Sequence, residues 1–312
     1  MKQTLSFSNF RGDLLQKRLL LLITTPCLAG FSLLGCAAPA PEQAADSPAT
    51  DIASPSPETR HRLGTTTPGV RYLANTLMPE AEILYVLPTG GDPAHGAPDV
   101  DAILALREVD LIVAHHRDYE TWMATASLPS AKVVWTAQEL PLLDTEAKTH
   151  SHGPEGEHSH RGVEPRIQLD PGLVADQAEQ VADALIDAFP RRRADIEARL
   201  DPLLDALDGL DAALAEVLET VPDGSIAATE GLAYWRERFD IPKFQADGSA
   251  DVVLKLESEP DPPDTAASKA SQATVIELDD LTADQDGTYA YAARFRANLD
   301  RLRETTDSAG NQ

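Results

Sequence analysis

The chain has 312 residues, with 51 acidic against 26 basic side chains and a formal charge of −25. Such a surface repels nucleic acid and anionic membranes while drawing cations towards it, so a nucleic-acid partner is excluded. Its only cysteines are Cys27 and Cys36, which excludes a disulfide scaffold and a cysteine-built metal site.

Residues 1–35 read as an export signal. Lys2, Arg11, Lys17 and Arg18 form a positive front, and Leu19-Leu20-Leu21-Leu22-Ile23 opens an uncharged stretch that runs to Gly35. A transmembrane anchor is the competing reading, but the stretch is short for a span and contains Pro26, Gly30 and Gly35. It ends in Leu33-Leu34-Gly35-Cys36, which resembles the box cleaved by the lipoprotein signal peptidase. That resemblance implies lipidation (palmitate included) at Cys36, and an extracytoplasmic chain anchored to the cell membrane, facing the periplasm or the cell surface. Residues 36–62, rich in Ala, Pro, Ser, Asp and Glu, cannot bury enough apolar surface to fold and read as a semi-extended tether.

From residue 63 the pattern becomes α/β. A short helix is expected at 68–76, then a strand at Ile83–Leu87 stopped by Pro88-Thr89-Gly90-Gly91. An amphipathic helix at Val100–Leu106 precedes buried-type strands at Asp110–Ala114 and Lys132–Trp135. Strands alternating with helices predict a parallel sheet. Residues 141–165 break this pattern and are expected to be a mobile loop, with a His-rich part at 149–161 holding His150, His152, His158 and His160. Imidazole pairs on such a segment can collect zinc or copper weakly, as an auxiliary metal loop, or can simply be solvated. A helix at 172–188 closes a first lobe spanning 63–188.

Residues 189–221 are helical by composition, with Leu200, Leu203, Leu207, Leu210, Leu214 and Leu218 at three- and four-residue steps. Asp201-Pro202 either starts a fresh helix or kinks one long helix. A second, smaller α/β lobe is expected over 222–312. Its strands fall at Ser225–Thr229, Val252–Leu256 and Thr274–Leu278, and its helices at Leu232–Phe239, Thr265–Ala273 and about 288–303.

Five stretches together resemble the cluster A-I substrate-binding proteins of zinc and manganese ABC transporters. They are Leu87–His95, Val109–Trp122, Glu164–Pro171, Thr229–Trp235, and Leu278-Asp279-Asp280 with the final helix through Asn298. The resemblance implies two α/β lobes joined by a long helix, with one divalent cation, zinc or manganese, held in the interlobe cleft as cargo. It implies a monomer that serves an ABC permease and ATPase, and no enzymatic activity. It places candidate ligands at His95, Glu230 and Asp279. His115 joins them because it follows a strand at its carboxyl end, where open α/β sheets bind ligands. No nucleophile elbow, P-loop or dinucleotide fingerprint occurs.

The departures from the family pattern are specific. Ala94 stands where the first histidine is expected, with His95 one residue later. Arg166 occupies the second-ligand position, and a guanidinium cannot coordinate a cation. The third-ligand turn is one residue short, and the second lobe lacks a strand–helix unit between Pro242 and Val252, so it is expected to be reduced. The alternative reading is therefore a degenerate relative without an ion site, acting as an envelope interaction or accessory lipoprotein, with Arg166 paired to Glu230 or Asp279.

Overall fold

The computed structural model describes residues 60–86, 98–151, 157–221, 225–245, 250–261, 273–281 and 290–309, without the side chains of 146–151, 157–161 and 305–309. The export signal, Cys36, the tether up to residue 59, His95 and its loop, His152 and the helix expected at Thr265–Ala273 lie outside the described residues.

The first lobe is a four-stranded parallel sheet in the order β2-β1-β3-β4, built from β1 (Arg62–Thr65), β2 (Glu82–Tyr85), β3 (Leu111–Ala114) and β4 (Val133–Trp135). Helices α1 (Pro68–Leu77) and α2 (Val100–Arg107) make the first crossovers. Both start on side-chain caps: Thr67 accepts from the Val70 amide with Pro68 in the first turn, and Asp99 accepts from the Ala102 amide.

Strand β1 sits inside the sheet although the sequence analysis assigned its first residue to the tether. The compact unit begins at Arg60, so the tether ends before residue 62. Leu63 is the only large apolar residue in Arg-Leu-Gly-Thr, and glycine depresses strand propensity. That glycine lets α2 pack close, because a Cβ at residue 64 would press on the end of the Leu106 side chain, which would have to shift.

Residues 141–165 are not the loop that was expected. Strands β5 (Asp144–Ser151) and β6 (Glu157–Val163) pair antiparallel as a ribbon separate from the parallel sheets. A two-stranded ribbon outside the core needs no apolar face, so the usual hydrophobic alternation is missing.

Helices α3 (Pro171–Ala188) and α4 (Arg193–Glu219) follow, and α4 is one helix of 27 residues with Pro202 inside it. A proline there costs about 3 kcal/mol through the lost amide donor and its ring. Leu200, Leu203, Leu207, Leu210, Leu214, Val217 and Leu218 are buried along the helix. At roughly 1.5–3 kcal/mol for each fully buried side chain, they outweigh the defect.

The second lobe is a three-stranded parallel sheet, β7-β8-β9, of Ile226–Ala228, Val252–Leu256 and Thr274–Leu278, with α5 (Ala233–Arg238) and α6 (Tyr291–Ala309). Beside β7, an isolated parallel bridge joins Ala228 to Lys243, supported by Ala228 N–H to the Pro242 carbonyl and Phe244 N–H to the Ala228 carbonyl. Among the described residues the missing strand–helix unit thus survives as a single bridge. One apolar core runs from Leu63 and α1 through α3 and α4 to Leu254, Trp235 and Phe295, so the lobes share it.

Candidate functional site

At the carboxyl end of β3 the chain turns through His115 and His116, both nearly solvent-free. The turn is held from inside by Glu120, which is fully buried and accepts the amides of His115 and His116 at 2.8 and 2.9 Å through Oε2. Burial pushes the Glu120 carboxyl up to about 7, against the pull of these donors. The nearby Thr66 hydroxyl also works to lower it, while Oε1 of Glu120 has no partner in good hydrogen-bond geometry among the described residues.

Burial pushes the His115 imidazole down to about 3, with His116 adding to the shift, so the ring is neutral at ordinary pH. Its Nδ1 lies 3.0 Å from the Gln177 amide on α3, which also bonds the Thr136 hydroxyl at 3.0 Å. Nε2 is buried without a hydrogen-bond partner among the described residues. With the Gln177 nitrogen towards Nδ1, the ring carries its proton on Nε2. With the amide turned end for end, its oxygen accepts from Nδ1–H and Nε2 presents a lone pair. A neutral imidazole with a partnerless nitrogen is the chemistry of a metal ligand.

In the second lobe the turn after β7 carries Glu230. Glu259 clamps this turn by accepting from the Thr229 hydroxyl at 2.5 Å, the Gly231 amide at 2.9 Å and the Leu256 amide at 3.0 Å. Gly231 eases this close approach, because a Cβ there would stand 2.5 Å from Leu256 Cδ1 and 3.0 Å from the Glu259 carboxyl, and those side-chain ends would have to shift. The Glu230 carboxylate is largely exposed and meets Lys243 Nζ at 3.0 Å. Beyond β9, Asp279 is gripped by Arg294, with Nε at 2.6 Å and Nη2 on the other oxygen. Burial works to raise the Asp279 carboxyl, but these bonds outweigh it and hold it below the usual range.

Between the two rims runs the segment 164–170. Tyr234 donates its phenol to the Glu164 carbonyl at 2.7 Å, and the Trp235 indole donates to the Leu169 carbonyl at 2.5 Å. Gln168 donates to the Asp280 carbonyl at 3.1 Å and accepts the Tyr291 phenol on its own carbonyl at 3.0 Å. The segment then enters α3, capped by Asp170, and Gln177 on that helix reaches His115. Arg166 pairs with Glu164 rather than with Glu230 or Asp279: its Nη1 lies 3.1 and 3.2 Å from the two carboxylate oxygens.

His115, Glu230 and Asp279 each stand just past the carboxyl end of a parallel strand. Among the described residues, however, no group of three or more His, Asp and Glu side chains is drawn together tightly enough to hold a metal ion. In the ribbon, His150 pairs with His158 and Lys148 with His160 in backbone register. Glu120, Glu164, Gln177 and Glu259 were not singled out from the sequence. Glu164 carried the best signal, two residues before the anomalous arginine and in the same matched stretch. Among the described residues no helix is long and apolar enough to cross a membrane.

The model of the family described as "Zinc-uptake complex component A periplasmic" matches residues 64–267. The zinc-binding lipoprotein AdcA of Streptococcus pneumoniae is 25% identical over 145 residues, covering 44% of this chain and 28% of that protein. The chain thus spans little more than a quarter of its curated relatives' length. Among solved structures, Zn(II)-bound AdcA from S. pneumoniae superposes with a TM-score of 0.61 at 17% identity, covering 80% of this chain and 58% of the other. The periplasmic zinc-binding protein TroA of Treponema pallidum gives a TM-score of 0.60 at 16% identity, covering 78% and 98%. At these identities the structural likeness concerns the fold: two α/β lobes about a long helix.

Proposed function

Since the chain belongs to the zinc-uptake complex component A family, we propose that it is a lipid-anchored extracytoplasmic capture subunit of a metal ABC importer, with a divalent cation as cargo. Zinc is favoured over manganese by the description of the family and by what the named relatives bind. The observation that carries this reading is the stretch 164–177. It is bonded to Tyr234 after β7 and to Asp280 after β9, and through Gln177 to His115 after β3. One continuous piece of chain thereby ties together the ligand-binding ends of both sheets, as in a binder that works between two lobes.

His115, whose Nε2 meets no hydrogen-bond partner among the described residues, fits a cation directly. Glu230 and Asp279 fit once Lys243 and Arg294 give them up, and His95 completes the proposed ligand set. The acidic surface, about −28 once the signal with its four basic residues and one acidic is removed, raises the local cation concentration. Partners of this reading are an ABC permease and ATPase, with the chain acting as a monomer held at the membrane through Cys36. The histidine ribbon would be a weak auxiliary collector, with His150 opposite His158 in backbone register and His160 on the same strand as His158.

The test is elemental analysis of the purified chain followed by zinc and manganese titration. About one equivalent of zinc bound at micromolar concentration is expected. Binding below about a fifth of an equivalent sinks the capture reading and leaves the degenerate relative. That second reading has its own support, because Glu164, Glu230 and Asp279 are each already paired to a basic side chain. For the anchor, a Cys36→Ser chain is expected to lose palmitate labelling and leave the membrane fraction.

A further inference from the structure

The basic residue in the second-ligand position has a definite partner, and that partner suggests what it does. Glu164 keeps only 8% of its side chain exposed, and both its oxygens face a single guanidinium nitrogen of Arg166. The Arg166 amide also donates to Oε1 at 3.1 Å. A bidentate fork would use two nitrogens, so this pair is the more easily displaced kind, and Arg166 is exposed enough at 37% to swing out. The carboxylate is the better-anchored partner, because Tyr234 of the second lobe bonds the Glu164 carbonyl. Burial pushes the Glu164 carboxyl up, Arg166 pulls it down, and the negative charge of Glu230 pushes it up again, so the two carboxylates feel each other across the seam. Arg166 offsets that repulsion with one positive charge. A divalent cation offers two and accepts carboxylate oxygen as a ligand.

We propose that Arg166 is the specificity-determining residue of the seam: an internal counter-ion that holds Glu164 in reserve as a cation ligand from the segment between the lobes, facing Glu230. In place of a ligand at residue 166 the chain uses a carboxylate two residues earlier, guarded by an arginine. The bound cation displaces the guanidinium, which moves to solvent. The site therefore binds more weakly than one whose ligand there is unguarded, and it takes a carboxylate oxygen from this segment. This rests on the capture reading, and the experiment separates the two.

Zinc alone is titrated, against a chromophoric chelator, into the full chain in detergent, as wild type, Arg166→Gln and the double variant Arg166→Gln/Glu164→Gln. The double variant removes both charges together, leaving no buried carboxylate unpaired, and circular dichroism reports that each chain is folded. The expected result is at least about tenfold tighter zinc binding for Arg166→Gln, with the gain lost in the double variant. Unchanged or weaker binding by folded Arg166→Gln overturns the inference, as does a gain that survives in the double variant. If wild type binds no zinc but Arg166→Gln does, both fall, because the guanidinium then blocks the site instead of yielding to the cation. If wild type binds zinc and Arg166→Gln binds it equally, the capture reading stands and the inference falls. If no variant binds, both fall.

Discussion

The two rims that bound the seam solve the problem of polar side chains at strand ends in opposite ways. The first-lobe rim is dry: His115 and Glu120 are buried, and burial drives both towards their uncharged forms. The second-lobe rim is wetter and ionic, with Glu230 on Lys243 and Asp279 on Arg294. Under the proposed capture reading, a cation would meet a neutral imidazole on one side and carboxylates already paired to Lys243 and Arg294 on the other. The energetic obstacle to loading would then lie in the second lobe and in the Arg166 pair.

The dry rim is broken most sharply by pH. The Glu120 pKa is raised on folding, so its contribution is present below the unfolded value near 4.5 and is lost as pH rises to about 7. The His115 pKa is lowered, so its contribution is present above the unfolded value near 6.5 and is lost as pH falls towards about 3. Each effect is on the order of 3–5 kcal/mol. Between about pH 4.5 and 6.5 they oppose each other and the metal-free protein shows little net slope from this pair. In denaturant melts, Glu120→Gln is expected to leave a stability that falls with acid, and His115→Gln one that falls with base. Parallel profiles for the two variants would refute the account of this rim.

On the ionic rim, Gly231→Val is expected to lose roughly 1–3 kcal/mol, because its side chain must displace Leu256 or the Glu259 clamp. Thermal melting checks this, and zinc affinity should fall with it as Glu230 moves. Arg294→Met, which leaves a partly buried Asp279 unpaired, is expected to lose about 1–3 kcal/mol while freeing that carboxylate for zinc. Stability and affinity moving in opposite directions would confirm that Arg294 is a counter-ion. Lys243→Met should be the mildest, within about 1 kcal/mol because the pair is exposed, yet it should tighten zinc measurably. A loss of zinc binding in either charge variant would overturn the comparison.

Much of the scaffold was legible in the sequence because burial imposes period. The leucine steps of α4 and the apolar runs of β3, β8 and β9 fall where expected. Pro202 left two readings open, and the unbroken helix follows from the leucines on both sides of it. Strand β1 was hidden because the residue packed against Leu106 is a glycine, which reads as a break. The ribbon was hidden because it carries no apolar stripe. For the site, the positions of His115, Glu230 and Asp279 at strand ends could be anticipated, but their partners could not. Lys243 and Arg294 lie 13 and 15 residues from the carboxylates they hold, a distance in sequence that no local spacing encodes. Arg166 is visibly out of place in the sequence, but nothing there marks the carboxylate two residues away, rather than a distant one, as its partner.

The shared core has a mechanical consequence. Leu63 and Phe295 belong to one apolar continuum through α3 and α4, and Trp235 is pinned by its indole to the segment that leads into α3. A body built this way has no soft joint, so the halves should melt in one calorimetric transition rather than two. If the chain carries a cation as proposed, release would then come from side chains re-pairing at the rim, a change of partners measured in ångströms instead of a swing of domains.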